Sequence, residues 1–259
     1  MVDADYFIVT DIEGVAGIDS FSSTRTSDPE QKGPAMDRLA AEVDACVNGI
    51  RDAHPDADVV VWDGHGSGGL REEDVTNATY VREGRPYFDL DGVDAQLFVG
   101  QHAMAGMPFA PLRHTYSSLH VESYRLNSTF MGEFSCRALV AGAQDVPTIF
   151  LSGDDKACLE AQMFVPEIQT VAVKRGMGEE SAIHDDPIVA EAAIREGTAR
   201  AVERRHEIPP LTDFEPPYTL DIRRYEPIEE VPDGAERVDE RTVRYEGEDI
   251  LDTPFTGIF

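Results

Sequence analysis

The sequence predicts an α/β protein: a mostly parallel sheet flanked by helices, with a smaller strand-containing extension at the C-terminus. Three observations predict it. Short apolar runs alternate with longer helical patterns, several of those runs end in polar, glycine-containing turns, and the composition changes over the last fifty or so residues. Buried parallel strands read as continuous apolar runs, and strand–helix alternation marks crossover units.

The elements follow in order. Tyr6–Thr10 is a strand that ends in Asp11-Ile12-Glu13-Gly14. From Pro34 to about Ala53, apolar Met36, Leu39, Val43, Cys46, Val47 and Ile50 recur at helical spacing. Val59–Trp62 is a second buried strand, running into Asp63-Gly64-His65-Gly66-Ser67-Gly68-Gly69, and Ala95–Val99 is a third, ending at Gly100-Gln101-His102. Leu119–Leu126 reads as a strand by alternation, with Val121, Tyr124 and Leu126 as its apolar positions. Gly132 to Ala143 reads as a helix and Thr148–Leu151 as a strand ending in Ser152-Gly153-Asp154-Asp155, acids suited to cap a helix from Lys156 to Phe164. A strand follows around Thr170–Val173. Asp186-Pro187 is an N-cap and first-turn pair opening a helix to about Arg205. Beyond it, prolines recur at positions 209, 210, 216, 217, 227 and 232, and residues 207–259 hold 15 acids against 5 arginines, with strands at Tyr218–Tyr225 and Thr242–Tyr245. The chain thus divides into an α/β core, 1–206, and an acidic, proline-rich extension, 207–259, packed on it.

Charge narrows the function classes. The 259 residues carry 50 Asp+Glu against 22 Lys+Arg, a formal net charge of −28. An acidic coat repels phosphate, which argues against a nucleic-acid partner and against an anionic membrane surface. At 41% hydrophobic residues and this length the chain has a sizeable core to bury, so disorder is excluded. Only three basic residues are lysines (Lys32, Lys156, Lys174), and the acidic excess is spread along the chain. That pattern fits a protein working in concentrated salt, where the Debye length falls to roughly 3 Å at 1 M and self-repulsion is screened. No basic segment with an apolar stretch opens the sequence and no apolar run is long enough to span a bilayer, so a cytoplasmic protein is expected. The cysteines (Cys46, Cys136, Cys158) match neither a metal pattern nor a disulfide framework, and Cys46 and Cys136 read as buried thiols.

The chemistry lies at strand ends, where open α/β sheets form their sites. Three strands end in metal-ligand residue types: Asp11 and Glu13, then Asp63 and His65, then His102. Positions i and i+2 of an extended chain point the same way, which lets Asp11 and Glu13 face one site. Each signal alone is weak; their agreement points to a metal site. His, Asp and Glu without Cys suit Zn²⁺, or Mn²⁺ and related ions.

At this point the sequence resembles the D-aminopeptidase family of metallopeptidases, peptidase family M55. The resemblance rests on Asp11-Ile12-Glu13-Gly14-Val15-Ala16-Gly17, then Asp63-Gly64-His65, Gly100-Gln101-His102-Ala103, His114, Gly132-Glu133 and Ser152-Gly153-Asp154-Asp155, spread over most of the chain. It implies two Zn²⁺ per subunit, or another divalent metal in their place. By the resemblance Asp11 bridges both ions, Glu13 and His102 complete one, and His65 and Glu133 complete the other. Glu133 comes from the resemblance alone; by its residues it reads as a dipole partner at a helix N-terminus. His114 matches the family's catalytic histidine, described as the nucleophile. A hydroxide between two metals is itself a strong nucleophile, and an imidazole beside it serves equally as proton shuttle, so the two roles stay open. Arg113, directly before it, is either a contact for a substrate carboxylate or half of a surface ion pair.

The function this implies is a salt-adapted, zinc-dependent aminopeptidase acting on short peptides, D-aminoacyl ones among them. The alternatives are a dinuclear amidohydrolase, deacylase or phosphoesterase, and a non-catalytic metal-binding oligomeric scaffold. The resemblance also implies a ring-shaped homo-oligomer, a decamer being one such ring. The remaining histidines are assigned structural or solvent roles: His54 and His206 at helix ends, His120 in a strand and His184 in a polar loop. Asp63 either orients His65 or caps its loop.

Overall fold

Apolar runs that are buried on both faces form the spine of the molecule, and the computed structural model describes residues 2–259. Along the chain come β1 (Tyr6–Thr10), α1 (Phe21–Thr24), α2 (Pro29–Ala53), β2 (Val59–Asp63), β3 (Thr79–Val81), β4 (Ala95–Gln101), β5 (Val121–Leu126), β6 (Thr129–Met131) and α3 (Glu133–Gly142). They are followed by β7 (Thr148–Asp154), α4 (Asp155–Phe164), β8 (Gln169–Gly178), β9 (Ser181–His184), α5 (Pro187–Glu203), β10 (Tyr218–Arg224), β11 (Glu236–Arg237) and β12 (Thr242–Gly247).

Seven strands form the main sheet in the order β3-β2-β1-β4-β7-β8-β9. All neighbours are parallel except the β8–β9 hairpin. Every residue of β1, β2, β4 and β7 is buried, as a sheet covered on both faces requires. Helix α2 packs along α5 and touches β4, while α3 packs on α4 and also touches β4. Strand order runs outward in one direction from β1 to β3 and in the other from β4 to β9. The β1–β4 junction is therefore the switch point, the place where a crevice opens beyond the strand ends.

The second sheet is antiparallel, in the order β11-β12-β10-β5-β6. Strand β10, from the 207–259 segment, pairs here with β5, so the C-terminal segment completes a sheet that the core begins. Among the described residues no helix is long and apolar enough to cross a membrane.

Among the boundaries that differ from the sequence reading, two have identifiable reasons. Helix α2 begins five residues earlier, because the Asp28 carboxylate accepts from Glu30 N at 3.0 Å and Pro29 sits in the first turn; Pro34 is carried inside the helix. Strand β8 runs on past Val173 to Gly178 and folds back as β9, so His184 is a strand residue, while His120 lies just before β5. The Asp186-Pro187 start of α5 is as expected, with Ile188 N donating to Asp186. All three cysteines are buried free thiols.

Candidate metal centre

Beyond Thr10 the chain leaves β1 in a tight turn that carries Asp11 and Glu13, both buried. Asp11 Oδ1 accepts from Ile12 N at 2.8 Å, and Gly14 N donates to Gly100 O at 2.7 Å, drawing the turn against the end of β4. That approach leaves no room for side chains. A Cβ on Gly100 (φ +75°) would fall 2.1 Å from Asp11 O, and one on Gly14 would fall 2.1 Å from Gln101 O. Beneath the turn, the buried Lys174 of β8 donates to the carbonyls of Glu13 (2.5 Å), Val15 (3.1 Å) and Ile18. Asp11 and Glu13 do face one site, but from a clamped turn and not from strand alternation.

His65 follows β2. Its Nε2 lies 3.2 Å from Glu13 Oε1, and its Nδ1 faces Lys32 Nζ at 3.4 Å, which in turn donates to Ser67 at 2.7 Å. Asp63 does not reach His65. Its carboxylate accepts from Gly69 N, Leu70 N and Arg82, which settles its role as the cap of the glycine-rich loop. His102 follows β4, fully buried, and its Nε2 stands 3.1 Å from Asp11 Oδ2 and 3.4 Å from Glu133 Oε1. His102 Nδ1 contacts Ala103 O at 2.9 Å; a carbonyl only accepts, so Nδ1 donates that bond and Nε2 is the nitrogen that faces the site. Asp154 caps α4, as expected, and also accepts from Ala103 N, fixing the residue beside His102.

Glu133 is the first residue of α3. Its Oε1 accepts from Tyr116 N at 2.8 Å and its Oε2 pairs with Arg137, four residues on, at 3.0 Å. His114 lies on the loop after β4, with its ring stacked on that of His102 and its Nε2 3.7 Å from Glu133 Oε1. His114 Nδ1 is 2.9 Å from Leu112 O, so here Nε2 is the free nitrogen.

All six sequence-singled residues therefore converge. Asp11, Glu13 and His65 place donor atoms within 4.8 Å of one another, and so do His102, His114 and Glu133. By proximity Glu13 lies with His65, and His102 with Glu133, while Asp11 touches His102 across the two groups.

The electrostatics follow from burial. Burial and the charge of Glu13 push the Asp11 carboxyl up to about 6. Burial alone would raise Glu13, but the charge and hydrogen bond of His65 outweigh it and hold it well below the usual carboxylate range. Burial would lower His65, yet Glu13 pushes it up to about 9, and Asp11 and Glu133 likewise hold His102 well above an ordinary imidazole. Glu133 is held low, against burial, by Arg137 and His102. Only His114 moves the other way: burial and the neighbouring His102 lower it to about 4.

The site opens into a cleft of about 330 Å³ walled by Arg25, His65, Ser117, Ser118 and Leu119 above the carboxylates. Arg113 is not among its lining residues, and its guanidinium donates to Ala110 O. Sequence reasoning missed four supporting residues. For Arg137 the i, i+4 spacing from Glu133 was a signal, and for Lys174 a charge among strand apolars was another. Lys32 and Arg25 gave none.

A model of a family described as D-aminopeptidase (Peptidase_M55) matches residues 5–254. A D-aminopeptidase of Bacillus subtilis (strain 168) is 29% identical over 176 residues, which cover 65% of this chain and 64% of that protein, just under two-thirds of its length. The solved structure of the Zn-dependent D-aminopeptidase DppA from Bacillus subtilis, described as a self-compartmentalizing protease, superposes with a TM-score of 0.82 at 24% identity, covering 95% of this chain and 92% of that one, and shares its fold. With the family model spanning nearly its whole length, the chain belongs to the D-aminopeptidase (M55) family.

Proposed function

We propose that the protein is a zinc-dependent aminopeptidase of short peptides, D-aminoacyl peptides among them, with two metal ions held by Asp11, Glu13, His65, His102 and Glu133. One observation carries the reading: buried carboxylate and imidazole donors converge at a switch-point crevice, and one of their atoms, Glu13 Oε2, has no hydrogen-bond partner. Unpartnered buried donors are costly unless a cation uses them. An oxygen-and-imidazole set without thiolate fits zinc or manganese. Asp11, in contact with His102 and grouped with Glu13 and His65, is the carboxylate placed to serve both ions.

When bound, the ions supply Lewis acidity toward a scissile carbonyl and a lowered pKa for water. The protein supplies the rest. Arg137 and Tyr116 N hold the Glu133 carboxylate in one orientation, and Lys174 and the Gly14–Gly100 contact hold the Asp11–Glu13 turn. His114 lines the cleft with its Nδ1 held by Leu112 O and its Nε2 left free, which suits it to take a proton and return it to the leaving amine. A second reading makes His114 a ligand, favoured by its Nε2 lying near His102 and Glu133.

The same reading includes salt adaptation, supported by the dispersed net charge of −28, and a ring-shaped homo-oligomer, supported by the self-compartmentalizing relative of the same fold. The test is a panel of L- and D-aminoacyl dipeptides and phosphoesters in high KCl, with metal analysis of the same preparation. Peptide cleavage that a chelator abolishes and Zn²⁺ restores supports the proposal; cleavage of phosphoesters alone, or activity indifferent to the chelator, overturns it.

A further inference from the structure

We infer that Arg25 anchors the C-terminal carboxylate of the substrate, so that the site selects dipeptides with a free carboxylate over their amides; this rests on the peptidase reading above. The cleft is walled mainly by acids and neutral groups, and Arg25 and Arg137 are its two arginines. Arg137 is buried and committed to Glu133 at 3.0 Å. Arg25 is exposed at the mouth, and among the described residues no carboxylate lies within ion-pair distance of it. In a chain with 50 acids against 22 basic residues, a guanidinium without an ion-pair partner on the wall of the catalytic cleft stands out.

Its position is built. The Arg25 guanidinium lies over the Phe21 ring, 3.3 Å from the centroid, and the Phe21 ring meets His114 edge-on at 6.2 Å. Stacking on an aromatic face leaves the in-plane N–H fork free for a carboxylate. Helix α1, which carries Phe21, is tied down by Glu180, whose Oε1 accepts from Phe21 N at 2.8 Å and Ser20 Oγ at 3.0 Å. Glu180 is thereby occupied at the helix and does not close on Arg25. The guanidinium thus stands one aromatic ring from His114, on the open side of the cleft.

In a dipeptide the carboxylate lies one residue beyond the scissile bond, about 3.8 Å of chain. Charge-assisted hydrogen bonds are the stronger class, which makes about a tenfold effect on KM the expected scale.

The experiment compares zinc-loaded wild type, R25A and R25K in the same KCl on D-alanyl-glycine and on its C-terminal amide, with the oligomer size of each variant measured. Wild type should favour the free acid about tenfold in kcat/KM. R25A should bring that ratio close to one through the KM of the free acid, and R25K should recover part of it. A wild type that cleaves both equally, a ratio that survives R25A, or an R25A chain of altered oligomer size each overturns the assignment of Arg25. Cleavage of neither compound by the wild type overturns the peptidase reading itself.

Discussion

The imidazole of His114 lies flat on that of His102, ring centroids 3.9 Å apart and planes inclined by 14°, and both rings have their Nδ1 pinned to backbone carbonyls. Two stacked imidazoles do not share a proton load equally. The buried His102, flanked by Asp11 and Glu133, is the one that favours positive charge, and its charge helps to keep His114 neutral.

His114→Ala should therefore leave metal content unchanged and lower kcat by about 10²- to 10⁴-fold, the usual worth of a positioned acid–base group. Metal analysis beside steady-state kinetics checks it. A variant that loses its metal along with turnover would show His114 to be a ligand instead.

Removing the metal should cost stability as well as activity. Three buried carboxylates, Asp11, Glu13 and Glu133, crowd one crevice, and a bound cation stabilises the fold by RT ln(1 + [L]/Kd), about 2.7 kcal/mol at a hundredfold excess over Kd. Thermal melts with and without a chelator should differ by several degrees, with Zn²⁺ restoring the higher Tm. Glu13→Gln and His65→Ala should each reduce the zinc bound per chain.

The parts of this arrangement that were legible in the sequence are those where one residue reports on itself. Apolar runs exposed β1, β2, β4 and β7, and the polar residues closing those runs gave Asp11, Glu13, His65 and His102 directly. The short strands β3, β6 and β9 lack such runs, because a strand with one face in solvent needs no continuous apolar stretch. Glu133 is invisible locally: its role depends on Tyr116 N and Arg137 orienting it toward His102, relationships that exist only once α3 docks beneath β4. That Glu13 lies beside His65 and His102 beside Glu133 has the same origin, since which donors lie together depends on strand order and not on sequence order.

Salt should stabilise this protein. A net charge of −28 over 259 residues is self-repelling in dilute buffer, and raising KCl from 0.1 to 1 M shortens the Debye length from about 10 to 3 Å. Unfolding midpoints should rise steadily over that range. A flat or falling response would remove salt adaptation from the proposal.

Glu42 supplies a pH dependence remote from the metal ligands. Its carboxyl is buried on α2; Oε1 accepts from Ala16 N at 2.8 Å, while Oε2 has no partner. Burial raises its pKa to about 7, against the opposing effects of the Ala16 hydrogen bond and Lys174. The folded chain thus binds this proton more tightly than the unfolded chain, whose value is near 4.5. The group favours the fold fully below about pH 4.5, and that contribution is lost as pH rises to about 7. Glu42→Gln keeps an acceptor for Ala16 N and cannot ionise. Relative to wild type, the variant should gain about 3 kcal/mol of stability between pH 4.5 and 7.5, a range kept below the value of about 8 to which burial lowers Lys174. Urea unfolding of both proteins across that range measures the difference, and a gap that stays constant with pH would mean that Glu42 does not carry the proton.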